Sequence, residues 1–173
     1  MRVRSKTTAT QTNTKKYGIT ITRVPSEIRI DASKQKVWDV VADLGSVSVW
    51  NPTLADSHYT SEAKEGFEAT RRCNFPDGGY VEERVTEWKP GEGFTLEVTE
   101  VTVPFASANA ALSFAEDGDG TVVNLALDYD LKADLSVDPQ EVERQTREEL
   151  FPLILASLKQ YIETGEPILV PTP

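Results

Sequence analysis

The sequence has few of the residues that hold metals or form disulfides. Its 173 residues include one cysteine, Cys73, and one histidine, His58. A single cysteine excludes an internal disulfide framework and a cysteine-based zinc site, and one histidine leaves a transition-metal site without a ligand set. We therefore expect neither a metal nor another cofactor. An unpaired thiol is typical of a reducing compartment, so we expect a cytoplasmic location.

Long apolar runs are also missing. No stretch reaches the roughly 18 apolar residues of a transmembrane helix, and none resembles the apolar core of a signal peptide. No membrane span is therefore predicted. The length is that of one domain.

Positive charge is scarce beyond the first residues. Six of the 18 Lys and Arg precede the first acidic residue, Glu27, which leaves 12 against 28 Asp and Glu in the rest of the chain. Such an acidic body repels phosphate backbones, so nucleic acid is not an expected partner. The pattern predicts a basic Thr-rich tail over 1–22, one domain over 23–165 and a C-terminal tail over 166–173.

The order of elements is the main structural signal. Alternation of Ile28 and Ile30 with charged residues predicts a strand, and an apolar stripe with capping residues predicts two short helices before Asn51-Pro52. Glycine-rich turns then separate six predicted strands, at about 55–61, 67–75, 79–88, 93–103, 106–115 and 121–131. Short turns join antiparallel neighbours, so these strands form a meander.

Near the end of the domain, the spacing of apolar residues changes from the alternation of a strand to the period of a helix. Asp138 and Pro139 are typical of a helix start, and Gly165 is typical of a helix end. Between them the spacing predicts one long amphipathic helix, which Pro152 should bend because proline lacks the backbone N–H. A seven-stranded sheet twists and curls, and one helix covers only part of its inner face. A hollow between helix and sheet is therefore expected.

Three segments carry a family resemblance: Lys36-Val37-Trp38-Asp39-Val40, Trp50-Asn51-Pro52, and the stretch from Glu82 to Gly91. With the element order, they make residues 24–164 resemble the helix-grip superfamily of START domains, polyketide cyclases and birch-pollen allergens. The bacterial polyketide cyclase/dehydrase branch is the most similar. The resemblance implies an α+β helix-grip fold: a curved seven-stranded antiparallel sheet wrapped on a long C-terminal helix, with two short helices between strands 1 and 2.

Choosing the apolar phase of each strand and of the helix assigns residues to the hollow. The residues predicted to contact a ligand are Arg71, Cys73, Phe75, Val81, Glu83, Val85, Leu96, Val98, Ala110, Leu112, Leu125, Leu127, Leu150 and Ile154.

Arg71 and Glu83 are unusual because they share an inward phase on adjacent strands. Three interpretations stay open: a hydrated pair at the rim, a polar anchor for a ligand, or a general acid or base at Glu83. Tyr129 is the other catalytic candidate, in the case of an enzyme of the cyclase type.

Three functions follow from these features. The first is binding or carriage of a small hydrophobic molecule, such as a lipid, a polyketide or another aromatic. The second is an enzyme of the cyclase or aromatase type that uses the same cavity, and the third is a protein-interaction module. Neither the ligand nor the oligomeric state follows from the sequence.

Overall fold

The computed structural model describes residues 14–16, 19–134 and 136–169. Eight antiparallel strands form one sheet in the order β1-β2-β8-β7-β6-β5-β4-β3. Their bounds are β1 Thr14–Lys16, β2 Ile19–Ile30, β3 Asp56–Tyr59, β4 Thr70–Asn74, β5 Tyr80–Lys89, β6 Gly93–Val101, β7 Phe105–Asp117 and β8 Gly120–Leu131. From β3 to β8 each strand pairs with the next along the chain, as expected of a meander joined by short turns.

Two short helices connect β2 to β3. Helix α1 spans Lys34–Val41, and the side chain of Ser33 caps it by accepting a hydrogen bond from the backbone N–H of Lys36. A 3₁₀ turn at Leu44–Ser46 leads into α2, Val47–Trp50. These are the two helices that the sequence predicts.

The C-terminal helical region runs through three consecutive segments: α3 Pro139–Gln145, a π-helical turn Thr146–Leu150, and α4 Phe151–Thr164. The predicted ends are confirmed. The Asp138 side chain accepts a hydrogen bond from the backbone N–H of Gln140, and Gly165 ends α4 in the left-handed conformation, with φ 84°.

Pro152 lies two residues after the end of the π-helical turn, in the first turn of α4. Within that turn the N–H of Phe151 donates to the carbonyl of Thr146, five residues back instead of four. Because Pro152 has no N–H to give to the carbonyl of Glu148, the change of hydrogen-bond pattern falls where the regular ladder is already broken. The helix is thus irregular at the predicted place.

Helix α4 is held to β2 near its C-terminal end. Lys159 Nζ donates to the carbonyl of Arg29 at 2.9 Å, and the N–H of Asp31 donates to a carboxylate oxygen of Glu163 at 2.7 Å. The apolar face of α4 buries Leu155, Leu158 and Ile162 in the core. The helix therefore lies mainly over the β2 side of the sheet.

Aromatic side chains fill the space between α1 and the sheet. Trp38 meets Trp88 edge to face, with ring centroids 4.9 Å apart. Trp88 stacks on Phe94 at 5.7 Å, and Phe114 lies 6.3 Å from Trp38. Such pairs contribute about 0.5–1.5 kcal/mol each beyond the area they bury.

The predicted architecture is confirmed, with one difference at the N-terminal side. Strand β2 begins at Ile19, inside the segment predicted as a tail, and β1 adds an eighth strand beside it. The short strand Thr14–Lys16 has no apolar alternation, so only pairing with the free edge of β2 reveals it. The rest of the predicted tail, residues 1–13 and 17–18, lies outside the described residues.

Gly93 is the glycine whose replacement should destabilise the sheet most clearly. Its φ is 147°, and a Cβ there would lie 2.2 Å from the carbonyl oxygen of Leu112 on β7. We expect Gly93→Ala to lower the free energy of unfolding by more than about 2 kcal/mol, since neighbouring backbone must move. Gly91→Ala, in the same turn with φ 73° and open space around the site, should lose about 1 kcal/mol. Urea unfolding measures both, and equal losses would contradict the assigned clash.

Candidate ligand cavity

A cavity of about 200 Å³ lies between the inner face of the sheet and the helices α2 and α4. Thirteen of the fourteen residues assigned to the hollow from the sequence line it: Arg71, Cys73, Phe75, Val81, Glu83, Leu96, Val98, Ala110, Leu112, Leu125, Leu127, Leu150 and Ile154. The structure thus brings side chains from five strands and the C-terminal helix around one space. That these residues bind a ligand stays a prediction.

Val85 is the exception. It shares the inward phase of Val81 and Glu83, but it is not among the lining residues and its exposed fraction is 0%. Its backbone pairs with Leu96 of β6, next to a break in register between Val85 and Glu87. The side chain belongs to the packed core, so the β5 wall of the cavity ends at Glu83.

Ten further residues complete the lining: Val41, Val47, Trp50, Asn51, Thr53, Leu54, Phe94, Val103, Phe105 and Phe151. Phe94 shares the phase of Leu96 and Val98, so alternation along β6 could have found it. Most of the others lie on helices or loops, where period-two alternation carries no information. Their place at the cavity follows from tertiary packing alone.

An ion pair lies in the apolar wall. Arg71 and Glu83 are directly opposite each other on β4 and β5, and Arg71 Nε donates to Glu83 Oε2 at 2.8 Å. Both side chains are only 11% exposed, which differs from the hydrated rim pair considered for these residues. Arg71 Nη1 also donates to the carbonyl of Leu44 at 3.2 Å. The guanidinium is thus fixed from two sides.

Burial and neighbouring charges shift the pKa values of Arg71 and Cys73 in opposite directions. Burial disfavours the charged form of Arg71, but the neighbouring carboxylate of Glu83 outweighs it, and the pKa of Arg71 is raised. Burial raises the pKa of the Cys73 thiol to about 12, against an opposing effect of Arg71. The thiol lies 4.0 Å from Glu83 Oε2. Cys73 is therefore a neutral thiol at physiological pH.

Several polar atoms of the lining residues have no hydrogen-bond partner within the described part of the chain. They are Trp50 Nε1, which is buried, together with Arg71 Nη2, Glu83 Oε1 and Asn51 Nδ2. The other end of the Asn51 amide is occupied, because Oδ1 accepts from both the backbone and the side chain of Thr53. This arrangement identifies Nδ2 as the unpaired end.

Tyr129, the second catalytic candidate, is not among the lining residues. Its side chain is 1% exposed, and its ring packs against Phe105 with centroids 5.0 Å apart. Burial raises the pKa of Tyr129, and the negative charge of Glu143 adds to the effect. Phe105, not Tyr129, belongs to the cavity wall.

No group of three or more His, Cys, Asp or Glu side chains within the described residues is placed to hold a metal ion. In the same part of the chain, no helix combines the length and the apolar character needed to cross a membrane.

A family model described as polyketide cyclase/dehydrase and lipid transport matches residues 21–163. The match covers most of the chain. The chain belongs to this family. The family resemblance found in the sequence is thus confirmed. The matched segment contains every residue that lines the cavity. Among curated proteins, none matches.

Solved structures of the family's fold are similar over most of their length. A START superfamily protein from Mycobacterium smegmatis has a TM-score of 0.70 at 19% identity, covering 83% of this chain and 98% of that one. Ara h 8.0201 has a TM-score of 0.63 at 10% identity, covering 83% and 99%. Major latex-like protein 151 from Panax ginseng has 0.66 at 14% identity, covering 84% and 97%. At these identities the likeness confirms the helix-grip fold alone.

Removal of one member of the buried ion pair should destabilise the protein strongly. We expect Glu83→Gln to cost about 3–5 kcal/mol, because it leaves the Arg71 charge buried without its partner. The double variant Arg71→Met/Glu83→Gln should cost less than Glu83→Gln alone. Urea unfolding provides the free energies.

The neighbouring pair supplies a matched control. Arg72 and Glu82 lie on the same two strands but are 33% and 23% exposed. Glu82→Gln should therefore cost about 1 kcal/mol or less. Similar losses for Glu82→Gln and Glu83→Gln would show that burial does not distinguish the two pairs.

The raised pKa of Cys73 predicts an unreactive thiol. At pH 8 a pKa of about 12 leaves far less thiolate than in an ordinary cysteine, and the higher nucleophilicity of each thiolate recovers only part of the loss. We expect iodoacetamide to alkylate the folded protein at least about 30-fold more slowly than the urea-unfolded protein. Mass spectrometry follows the reaction, and equal rates would refute the assignment.

Proposed function

We propose that the protein binds or carries a small hydrophobic molecule, such as a lipid, a polyketide or another aromatic, in the cavity between sheet and helices. One observation carries this proposal: the space is walled almost wholly by apolar side chains and holds one paired charge couple and a few polar groups. Binding sites for small molecules generally combine an apolar wall with a small number of placed polar groups.

The size of the cavity favours a compact ligand. Its volume is about 200 Å³, and an engineered apolar cavity of about 150 Å³ is known to hold benzene. Drug-sized ligands generally occupy about 300–1,000 Å³. One or two fused rings, or one short chain, fit this space better than a lipid with two long chains.

Leu150 indicates a route of entry. It lines the cavity and is also 37% exposed, at the end of the π-helical turn. The proposed entrance lies beside this turn. Two loop residues, Thr53 and Val103, belong to the same lining. A hydrophobic molecule enters here without displacing the α4 end that is attached to β2.

The Arg71–Glu83 pair is the natural polar anchor of such a ligand. It lies in the wall with an unpaired donor at Nη2 and an unpaired acceptor at Oε1, counted over the residues that the structure describes. A carbonyl or hydroxyl group placed there completes hydrogen bonds that the protein leaves open.

Carriage is preferred to catalysis for two reasons. Glu83 is held by Arg71, and the other candidate, Tyr129, lies outside the lining. The neutral thiol of Cys73 supplies no nucleophile at physiological pH. A cytoplasmic location, which an unpaired buried cysteine favours, completes the proposal.

Uptake of a neutral fluorophore tests the proposed function. The two-ring fluorophore 1-naphthylamine should bind the purified protein with a blue shift of its emission, and Ala110→Leu should weaken binding at least about tenfold, because the larger side chain occupies cavity volume. Ala111→Leu is the matched control, since Ala111 is the next residue on β7 and is not part of the lining. Native mass spectrometry adds a search for retained ligand.

Two results would overturn the proposal. One is the absence of fluorophore uptake together with no retained ligand in native mass spectra. The other is an equal effect of Ala110→Leu and Ala111→Leu on binding, with both variants folded by circular dichroism.

A further inference from the structure

The charges of the cavity cancel. Among the lining residues only Arg71 and Glu83 carry formal charges, and they are joined at 2.8 Å. The remaining ionisable group of the lining is Cys73, which stays a neutral thiol because burial raises its pKa to about 12. A ligand in this space therefore meets no net charge.

The unpaired polar atoms of the lining comprise hydrogen-bond donors and one acceptor. Trp50 Nε1, Arg71 Nη2 and Asn51 Nδ2 are donors. Glu83 Oε1 is an acceptor that cannot donate when ionised. A ligand oxygen that accepts a hydrogen bond can thus use any of the three donors. A hydroxyl group can in addition donate to Glu83 Oε1.

A carboxylate would be a poor ligand in the same place. Near Arg71 it would meet a guanidinium whose charge Glu83 already balances, and it would bring a second negative charge close to that of Glu83. Loss of its hydration would not be compensated, because burial of an anion without a free counter-charge is costly. An uncharged oxygen loses much less hydration and gains the same hydrogen bonds.

From these observations we propose that the cavity selects uncharged, ring-sized molecules bearing a carbonyl or hydroxyl group and discriminates against carboxylates, with Glu83 as the residue that sets this choice. The inference rests on the ligand-binding function proposed above and specifies its ligand class. Arg71 and Asn51 donate to the ligand oxygen. Glu83 neutralises Arg71 and accepts from a ligand hydroxyl.

Four probes with one skeleton test the selection: naphthalene, 2-acetylnaphthalene, 2-naphthol and 2-naphthoate. Isothermal titration calorimetry at pH 7.5 measures their affinities for the native protein. We expect 2-acetylnaphthalene and 2-naphthol to bind at least about tenfold more tightly than 2-naphthoate, and more tightly than naphthalene. Binding of 2-naphthoate as tight as that of the ketone overturns the proposal, whatever the variants show.

The variant Glu83→Gln tests the role of the carboxylate. It leaves Arg71 without a counter-charge, so 2-naphthoate should gain at least about tenfold in affinity and the preference should shift towards the anion. Glu82→Gln removes a carboxylate on the same strand that is not part of the lining, and it should leave the ratio unchanged. An unchanged ratio in a folded Glu83→Gln variant overturns the role of Glu83.

A second variant keeps the test decisive if Glu83→Gln does not fold. Arg71→Met/Glu83→Leu removes both charges and adds no new donor, while Asn51 stays in place. Its preference for 2-acetylnaphthalene over naphthalene should fall at least about threefold. An undiminished preference overturns the proposed anchor. If 1-naphthylamine binds while 2-naphthoate matches the ketone, only the ligand class fails. If neither 1-naphthylamine nor any of the four probes binds, the proposed function fails with it.

Discussion

The pairing of β2 with β8 determines where the rest of the molecule can lie. It joins the first long strand of the domain to the last, so the helix that follows β8 packs back onto β2. Contacts of Lys159 and Glu163 with the end of β2 then hold the C-terminal part of α4 over that side of the sheet. The inner faces of β4, β5 and β6 are left to α2 and to the cavity, because one helix cannot cover a sheet of this width.

This arrangement buries the Arg71–Glu83 ion pair in the wall of the cavity. An ion pair at the sheet surface contributes little to stability. In a pair whose side chains are only 11% exposed, loss of one member leaves the other charge buried without a partner and destabilises the fold. Arg71 is held by Glu83 and by the carbonyl of Leu44, which precedes α2. The pair therefore links the sheet to the segment that closes the cavity, while it keeps one donor and one acceptor unpaired.

Agreement between prediction and structure was closest where a periodic pattern carried the information. Alternation along the predicted strands placed eleven of twelve residues at the cavity, and the apolar face of the helix added Leu150 and Ile154. Capping residues located the long helix from Asp138 to Gly165. Val85 shows the limit of this reasoning, because alternation gives the face of a sheet but not where its cavity stops. Asn51 and Phe105 carry no periodic signal at all, and β1 is defined only by the edge it pairs with.

The sequence by itself determined the order of elements, the inward phase of each strand and the pairing of Arg71 with Glu83, since these depend on local period and on short turns. Only the tertiary structure decided that the pair is buried, that Cys73 is a neutral thiol and that Tyr129 lies outside the lining. Burial and pKa depend on how much water the whole fold excludes from a group. That quantity arises from contacts between residues far apart in the chain.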